Sequence, residues 1–249
     1  MGRLRLPATI ARHRPVLAPT AGAPVVLVLP AHDEAPRIGA VLRRVPAAVA
    51  GRPVQVIVVD DGSTDATVTV ARAAGAELIV HPSNLGLGAA VRTGLAAATR
   101  HEPAAVAFCD ADGEYAPEEL DRMVAPVLAG TADYVVGSRF AGDIRRMLPH
   151  RRAGNRVLTV ALAWVARRPI TDGQSGYRAL APWAAAEAVI VHDYNYAQVL
   201  TLDLLAKGAR YDEVPITYGF RSSGRSFVRL GRYLRQIVPA VYRQLNNGV

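Results

Sequence analysis

Residues 24–138 alternate between short β-branched runs and segments with helical periodicity, and this alternation constrains the fold more than any other feature. The runs "PVVLVLP" (24–30) and "VQVIVVDD" (54–61) are rich in β-branched residues and end in turn residues or acids, as buried parallel strands do. Apolar residues at helical spacing follow each run. Three further apolar runs occur at 78–80, 104–110 and 133–138. Five strands that alternate with helices predict an α/β fold with a doubly wound, mostly parallel sheet.

After residue 139 the pattern changes to longer helical segments. In order, the chain has an amphipathic helical stretch (151–169), a loop "TDGQSGYRAL" (171–180), a helix (194–208), a strand (211–220) and a basic helical stretch (226–245). We predict that these segments complete a single domain spanning residues 24–235. Residues 1–23, rich in Arg and Pro, are predicted to form a flexible basic arm, and residues 236–249 a helical tail.

Composition narrows the kinds of partner. Of the 249 residues, 51% are hydrophobic, which is enough for a sizeable core. The net charge of +8 is uneven, because residues 139–249 hold 17 Lys or Arg against 7 Asp or Glu, and this favours an anionic partner there. The single cysteine, Cys109, excludes an intrachain disulfide, and no run reaches the roughly 20 apolar residues of a spanning helix. We predict that Trp164 and Trp183 fill the core.

The motif "VVDDGSTDAT" places Asp60 and Asp61 at the end of a buried strand. Carboxylates at this position accept hydrogen bonds from a nucleobase or a ribose in nucleotide-binding folds. Asp61 and Ser63 fit equally well as caps of the helix that follows. The motif alone leaves both interpretations open.

The stretch "CDADGEY" carries three acids spaced two residues apart, Asp110, Asp112 and Glu114. In extended backbone alternate side chains point the same way, so these carboxylates would converge and repel one another. A hard divalent cation with oxygen ligands would relieve that repulsion. A hydrated turn explains the same residues, and the spacing by itself does not decide between the two.

Six motifs in their order along the chain carry a family resemblance: "LPAHDEA", "VVDDGSTDAT", "NLGLGAAVRTGL", "CDADGEY", "VVGSRF" and "TDGQSGYRAL". They resemble the inverting family 2 glycosyltransferases with a GT-A fold, and in particular the branch of dolichol-phosphate mannose synthases and polyprenyl-phosphate glycosyltransferases. The resemblance covers roughly residues 24–235. It implies a GT-A α/β fold with C-terminal amphipathic helices. It also implies metal-dependent transfer of a sugar from a UDP- or GDP-sugar to a polyprenyl monophosphate.

The resemblance further implies which residues bind the donor. Those that would contact the nucleotide sugar are Pro30, Ala31, Glu34, Asp60 or Asp61, Gly86, Asp110, Ala111, Arg221 and Arg225. Mg2+ or Mn2+ on the diphosphate would be held by Asp112 and Glu114, with Asp110 beside them. Many relatives carry Gln in place of Glu114, which leaves the preferred ion open. Because a divalent cation stabilises charge on the leaving phosphate as a Lewis acid, Asp112 counts as a catalytic residue.

The acceptor determines what else the reaction needs. A lipid monophosphate has a second pKa of about 6, so at pH 7 it is mostly dianionic and needs only positioning and charge neutralisation. The resemblance gives this role to Arg139 and Arg152, since Arg binds phosphate in a bidentate manner. The loop 171–180, called the acceptor loop below, would add contacts from Asp172, Gln174, Ser175 and Arg178. A saccharide or other hydroxyl acceptor would instead need a general base, and Asp172 is the candidate for that alternative.

A membrane-embedded acceptor implies a peripheral location at the cytoplasmic face of the membrane. Residues 144–168 contain seven Arg and no acid, so contact with anionic lipids is expected there. No aromatic stacking motif lies on a basic segment, and nucleic acid is not an expected partner. Homo-oligomerisation and recruitment by a membrane protein both stay open.

Overall fold

The computed structural model describes residues 20–145, 147–191, 193 and 196–219. Its strands are β1 (Val25–Ala31), β2 (Ala48–Val49), β3 (Arg52–Asp60), β4 (Glu77–Val80), β5 (Ala105–Phe108), β6 (Tyr134–Ile144), β7 (Arg178–Leu180) and β8 (Tyr211–Tyr218). Its α-helices are α1 (Ala35–Arg44), α2 (Thr67–Ala73), α3 (Leu87–Ala98), α4 (Leu120–Leu128), α5 (Pro149–Ala166), α6 (Pro182–Glu187) and α7 (Ala197–Ala206). Short 3-10 turns lie at Thr99–His101 and Pro117–Glu119.

The strands form one sheet in the order β2-β3-β1-β5-β7-β6-β8, with β4 also paired to β3. β1 pairs in parallel with β3 and β5, and the β3–β4 and β6–β8 pairs are parallel as well. Only β7, between β5 and β6, and the two-residue β2 run antiparallel to their neighbours in the described part of the chain. The sheet is therefore mostly parallel, as predicted. The carboxyl ends of β1, β3 and β5 lie at one edge, where α/β proteins bind ligands.

The central strands are buried along their whole length, which explains why their sequences are continuously apolar rather than alternating. All seven residues of β1 and all four of β5 are buried. Helix α3 packs on β1 and β3, and α4 packs on β5, β6 and β7. This packing holds the strands in place, and so it positions the loops that carry the acidic motifs.

Several predicted details need correction. β6 continues to Ile144 instead of ending at residue 138, and the predicted loop 171–180 ends in β7. A three-residue strand offers no periodic pattern by which the sequence could reveal it. Trp183 packs against the core as predicted, but the prediction for Trp164 was wrong, since this side chain is 77% exposed on α5.

Other predictions concern segments that lie outside the described residues. Residues 1–19 and 220–249 contain most of the predicted arm, the C-terminal amphipathic helix and the tail, so the domain boundaries stay a prediction. Among the described helices, none has the length and hydrophobicity needed to cross a membrane.

Candidate functional site

The loops that follow β1 and β3 are joined by hydrogen bonds. The N–H of Asp33 donates to Ser63 Oγ (2.9 Å), and Asp33 Oδ1 accepts the N–H of Thr64 (2.8 Å). The N–H of Glu34 donates to Thr67 Oγ1 (2.8 Å). Two motifs that are far apart in the sequence therefore form one wall at the carboxyl edge of the sheet.

Three predicted nucleotide contacts belong to β1 or its loop. Pro30 and Ala31 are buried at the end of β1. Glu34 is also buried, and its carboxylate accepts a hydrogen bond from Arg37 Nη1 (2.9 Å). These residues lie beside the wall, where the sequence predicted the nucleotide pocket, and their contact with a nucleotide stays a prediction.

Asp61 is committed to contacts within the protein. Its Oδ1 lies 2.8 Å from His81 Nδ1 and accepts the N–H of Leu85 (2.9 Å), and its Oδ2 accepts the N–H of Gly86 (2.8 Å). Helix α2 starts at Thr67 and its N-cap residue is Ala66, so the capping interpretation of Asp61 and Ser63 was wrong. Asp61 instead holds the loop between β4 and α3.

Asp60 is different, because one of its carboxylate oxygens has no partner. Oδ2 accepts the N–H of Ser63 (3.0 Å), whereas the buried Oδ1 has no hydrogen bond within the described ranges. Buried polar atoms are nearly always paired, so an unpaired carboxylate oxygen at the ligand edge suits a donor group on a ligand, such as a nucleobase N–H. Of the two acids, Asp60 is the better candidate for reading the base.

Gly86 is required by the backbone of the protein itself. It has φ = +100°, and a Cβ atom there would lie 2.6 Å from the carbonyl oxygen of Asp193. That carbonyl also accepts the N–H of Gly88 (2.7 Å). The close approach that the sequence suggested for a nucleotide is made here by the segment before α7.

The acidic loop, residues 110–114, follows β5 directly. The N–H of Ala111 donates to the Pro30 carbonyl oxygen at the end of β1 (3.4 Å), which places the acidic loop beside the wall formed by the loops after β1 and β3. Asp112 Oδ1 accepts the N–H of Glu114 (2.9 Å) in a tight turn. Asp110 lies against Gly176 of the acceptor loop. A Cβ atom on Gly176 would lie only 2.6 Å from Asp110 Oδ2. The acidic loop therefore lies between the predicted donor and acceptor regions.

Glu114 differs from the other two acids of this loop because it is buried, whereas Asp110 and Asp112 are partly exposed. Tyr218 donates its hydroxyl to Glu114 Oε2 (2.5 Å), and Arg151 Nη1 lies 3.9 Å from Oε1. Burial and Glu114 raise the pKa of Tyr218, so this hydroxyl stays protonated as a donor. The carboxylate of Glu114 is thus directed toward β8 and α5.

The carboxylates of the acidic loop fit a metal ion that a substrate helps to bind. Within the described ranges, no group of three His, Cys, Asp or Glu residues is arranged to hold a metal ion without other ligands. Asp110 and Asp112 are partly exposed at the ligand edge. Magnesium in phosphate-transfer sites is commonly held by one or two carboxylates together with substrate phosphates and water. The oxygen donors present match that pattern.

Arg139 and Asp172 form a buried bidentate ion pair. Arg139 Nε and Nη2 donate to Asp172 Oδ2 (2.6 Å) and Oδ1 (2.9 Å), and the Arg139 N–H also reaches Oδ2 (3.1 Å). The side chains are only 6% and 0% exposed. Burial alone would lower the pKa of Arg139, but Tyr115 and Asp172 raise it above its usual value, so the guanidinium stays charged.

The start of the acceptor loop is fixed by Glu213 of β8. Its carboxylate accepts the N–H of Thr171 (2.9 Å), the hydroxyl of Thr171 (2.6 Å) and the N–H of Asp172 (3.2 Å). Thr171 Oγ1 also lies 2.6 Å from Ser138 Oγ. Glu213 therefore orients the backbone that carries Asp172, and through it Arg139.

The other predicted residues of the acceptor loop have different surroundings. Gln174 is partly exposed, and Ser175 is fully buried. Arg178 is also fully buried, and it donates to the carbonyl oxygens of Ser175 (3.0 Å) and Ala197 (2.8 Å) and to the Tyr134 hydroxyl. The prediction that Arg178 contacts the acceptor is not met here, since its donors are directed into the protein and hold the loop.

Two neighbouring arginines of α5 lie on different sides of the helix, one facing solvent and the other facing the acidic loop. Arg152, the predicted second phosphate clamp, is exposed on the outer side of the helix. Arg151 is partly buried and is the one that approaches Glu114. Arg221 and Arg225, the predicted contacts with the diphosphate, lie outside the described residues.

Comparison with known proteins identifies the family. Residues 26–180 match the family described as Glycosyl transferase family 2. The chain belongs to this family. An uncharacterized glycosyltransferase of Mycobacterium tuberculosis is 35% identical over 221 residues, covering 84% of this chain and 91% of that protein. Polyprenol monophosphomannose synthase of Mycolicibacterium smegmatis is 30% identical over 213 residues, covering 81% of this chain and 79% of that protein.

The fold comparison agrees with this assignment to glycosyl transferase family 2. Glucosyl-3-phosphoglycerate synthase from Mycobacterium tuberculosis, crystallised with Mn2+, UDP and glucosyl-3-phosphoglycerate, has a TM-score of 0.72 at 25% identity, covering 94% of this chain and 86% of that one. The predicted family and the GT-A fold are therefore confirmed, and the chain is a glycosyltransferase.

The family motifs did not reveal four residues at this site: Tyr115, Arg151, Glu213 and Tyr218. Tyr115 accepts the N–H of Gly176 (2.6 Å) through its hydroxyl and is the only one of the four inside a quoted motif. The sequence signal for Tyr218 was its position at the end of a strand, which is the same signal that identified Asp60. Nothing local in the sequence distinguishes Glu213 or Arg151 from other surface charges.

Proposed function

We propose that this glycosyltransferase transfers a sugar from a UDP- or GDP-sugar to the phosphate of a polyprenyl monophosphate in one inverting displacement. The observation that carries the choice of acceptor is the buried Arg139–Asp172 pair. Both oxygens of Asp172 accept hydrogen bonds from Arg139, and the carboxylate has no exposed surface. A base must reach the proton that it removes, so Asp172 is poorly suited to activate a hydroxyl acceptor.

A phosphate acceptor needs no such base. Its oxygens carry negative charge at neutral pH and can attack the anomeric carbon once they are positioned and their charge is neutralised. Arg139 uses Nε and Nη2 for Asp172, which leaves Nη1 for an anion, and Arg151 provides a second guanidinium on α5. The likeness to polyprenol monophosphomannose synthase supports this acceptor class.

The donor would bind at the opposite side of the acidic loop. Asp60 would accept a hydrogen bond from the base, with Pro30, Ala31, Glu34 and Ala111 lining the pocket. Asp112, with Asp110 beside it, would hold Mg2+ or Mn2+ on the diphosphate. Bound there, the ion would supply Lewis-acid stabilisation of the leaving phosphate. Structures of glucosyl-3-phosphoglycerate synthase with Mn2+ or Mg2+ and UDP support this class of ligand.

We further propose that the outer face of α5 contacts anionic lipid at the cytoplasmic side of the membrane. Val157 (69%), Val160 (68%) and Trp164 (77%) are exposed in a row along this helix. Arg152 and Arg156 are exposed at its edge, and there is no acid between residues 144 and 168. An apolar stripe with Trp and flanking Arg is typical of helices that lie in a membrane interface. The inner side of the same helix carries Arg151, so a lipid phosphate entering here would be close to the site.

A hydroxyl acceptor is the second candidate, since the structural relative above was crystallised with a glucosylated phosphoglycerate. The test is to incubate the purified protein with labelled UDP- and GDP-sugars, Mg2+ or Mn2+, and either polyprenyl phosphate or soluble hydroxyl acceptors. We expect an acid-labile labelled lipid that disappears with chelator and in Asp112→Asn. Label found only on soluble acceptors would refute the lipid proposal, and full activity in Asp112→Asn would refute the metal role.

A further inference from the structure

Tyr218 contacts both halves of the site. Its hydroxyl donates to Glu114 Oε2 (2.5 Å), and the guanidinium carbon of Arg139 lies 5.1 Å from the centre of its ring. The residue is 3% exposed. One side chain at the end of β8 therefore joins the acidic loop to the arginine that is proposed to bind the acceptor.

The surroundings hold Tyr218 in a fixed orientation. Its ring packs edge-on against Tyr115, with centroids 5.6 Å apart, and Tyr115 and Tyr218 also form a backbone bridge. The N–H of Gly219 donates to the Glu114 carbonyl oxygen (2.8 Å), and the carbonyl oxygen of Tyr218 accepts the N–H of Arg145 (3.1 Å). Contacts on the ring, the hydroxyl and both sides of the backbone leave this tyrosine little freedom.

We propose that Tyr218 is a positioning residue that fixes the distance between the acidic loop and Arg139. The inference rests on the proposed function, in which the donor diphosphate lies at the acidic loop and the acceptor phosphate at Arg139. An in-line displacement requires these two groups to meet at one separation and angle. The hydroxyl holds the donor side through Glu114, and the ring holds the acceptor side through a cation–π contact.

The two contacts can be tested separately. Tyr218→Phe keeps the ring under Arg139 but leaves the buried carboxylate of Glu114 without its donor. We expect kcat to fall about 10- to 100-fold, with the KM for polyprenyl phosphate changed less than about 2-fold. Tyr218→Leu removes the ring as well, and the KM for polyprenyl phosphate should rise about 3- to 30-fold. The KM for the nucleotide sugar should change little in both.

Tyr177→Phe is a matched control. Tyr177 is fully buried beside Tyr115, with ring centroids 6.1 Å apart, but its hydroxyl has no hydrogen-bond partner in the described part of the chain. Tyr177→Phe removes one hydroxyl from the same aromatic cluster, as Tyr218→Phe does, but breaks no hydrogen bond among the described residues. The kinetics of Tyr177→Phe should therefore match those of the wild type. Thermal unfolding of all three variants would identify a loss of folding.

Hydrogen exchange provides a readout that does not depend on catalysis. The amides of Glu114 and Gly219 should exchange faster in Tyr218→Phe than in the wild type, and not in Tyr177→Phe. Unchanged exchange or an unchanged kcat in Tyr218→Phe would overturn the role of the hydroxyl. Equal acceptor KM values in the Phe and folded Leu variants would overturn the role of the ring. If the wild type transfers nothing to polyprenyl phosphate, the proposed function fails, whereas the exchange experiment still decides whether Tyr218 holds the acidic loop.

Discussion

Asp172→Asn is the substitution that best separates a positioning carboxylate from a catalytic base. The amide has nearly the same shape as the carboxylate, but it carries no charge and replaces one acceptor with an NH2 group. That group would face an N–H donor of Arg139, because both carboxylate oxygens accept hydrogen bonds from this guanidinium. The substitution thus leaves a buried cation without its counter-ion.

The magnitude follows from burial. Removing one partner of a buried ion pair costs about 3–5 kcal/mol, and the acceptor that Asn retains puts the expected loss near the lower end, about 3 kcal/mol. For a domain of this size each kcal/mol corresponds to about 2–4 °C, so the melting temperature should fall by about 6–12 °C. The acceptor KM should rise because Arg139 loses its orientation. Replacing Arg139 by Gln in the same chain should recover part of the stability, since the unpaired charge is then absent.

Asp133→Asn is a matched control within the same chain. Asp133 accepts hydrogen bonds from the N–H, Nε and Nη2 of Arg210 in the same pattern that Asp172 has with Arg139. The Arg210 side chain is 43% exposed, so water compensates for most of the loss. We expect a melting temperature within about 4 °C of the wild type and unchanged kinetics.

The assays are thermal unfolding by circular dichroism and steady-state transfer with each substrate varied in turn. A base would give a different result, namely an unchanged melting temperature and acceptor KM with kcat reduced about 100- to 10,000-fold. That outcome in Asp172→Asn would refute the positioning argument. It would also favour a hydroxyl acceptor over a lipid phosphate.

Three further predictions test other parts of the site. Arg151→Ala should raise the acceptor KM severalfold in steady-state kinetics, whereas Arg152→Ala, on the outer side of the same helix, should raise it only slightly. A larger rise in Arg152→Ala than in Arg151→Ala would mean that the sequence-based choice of Arg152 was right. Trp164→Ser should reduce the fraction of protein that co-sediments with anionic vesicles. In Trp183→Phe, where Trp164 is the remaining tryptophan, its fluorescence emission should shift to shorter wavelength when these vesicles are added, and no shift would argue against membrane contact. Burial raises the pKa of tyrosines such as Tyr115, so the free energy of unfolding should keep its full value below about pH 10 and decrease above it. The decrease should be about 1.4 kcal/mol per pH unit for each such tyrosine, as measured by urea unfolding, and a constant free energy of unfolding up to about pH 11.5 would contradict this.

The carboxyl ends of β1, β3, β4 and β5 could be predicted from the sequence, and with them the loops at the ligand edge of the sheet, whereas the end of β6 could not. Runs rich in β-branched residues that stop at acids indicate parallel strands, and the carboxyl ends of such strands share an edge. Asp60 and Asp112 follow two such strands, so the sequence predicts that both lie on the same side of the sheet. The local pattern that predicts these two strands is strong.

The orientation of side chains on α5 could not be predicted in the same way. Successive helical residues point about 100° apart, so a shift of one residue in helix phase exchanges the sides of Arg151 and Arg152. The stretch "HRRAGNR" contains no apolar residue large enough to set that phase. The contact of Glu114 with Tyr218 spans 104 residues and is equally absent from any local pattern.

Asp133–Arg210 and Asp172–Arg139 show why burial must be known before a charged pair is given a role. The hydrogen bonds between acid and arginine follow the same pattern in both pairs, and in sequence each pair is an acid and an arginine far apart. Around Asp133 the arginine is open to water, which makes the pair replaceable at small cost. Around Asp172 both side chains are enclosed, so either partner alone would be an uncompensated charge. In the proposed function the anionic acceptor would bind to Nη1 of Arg139, which the hydrogen bonds to Asp172 do not use, while Asp172 keeps the guanidinium in place.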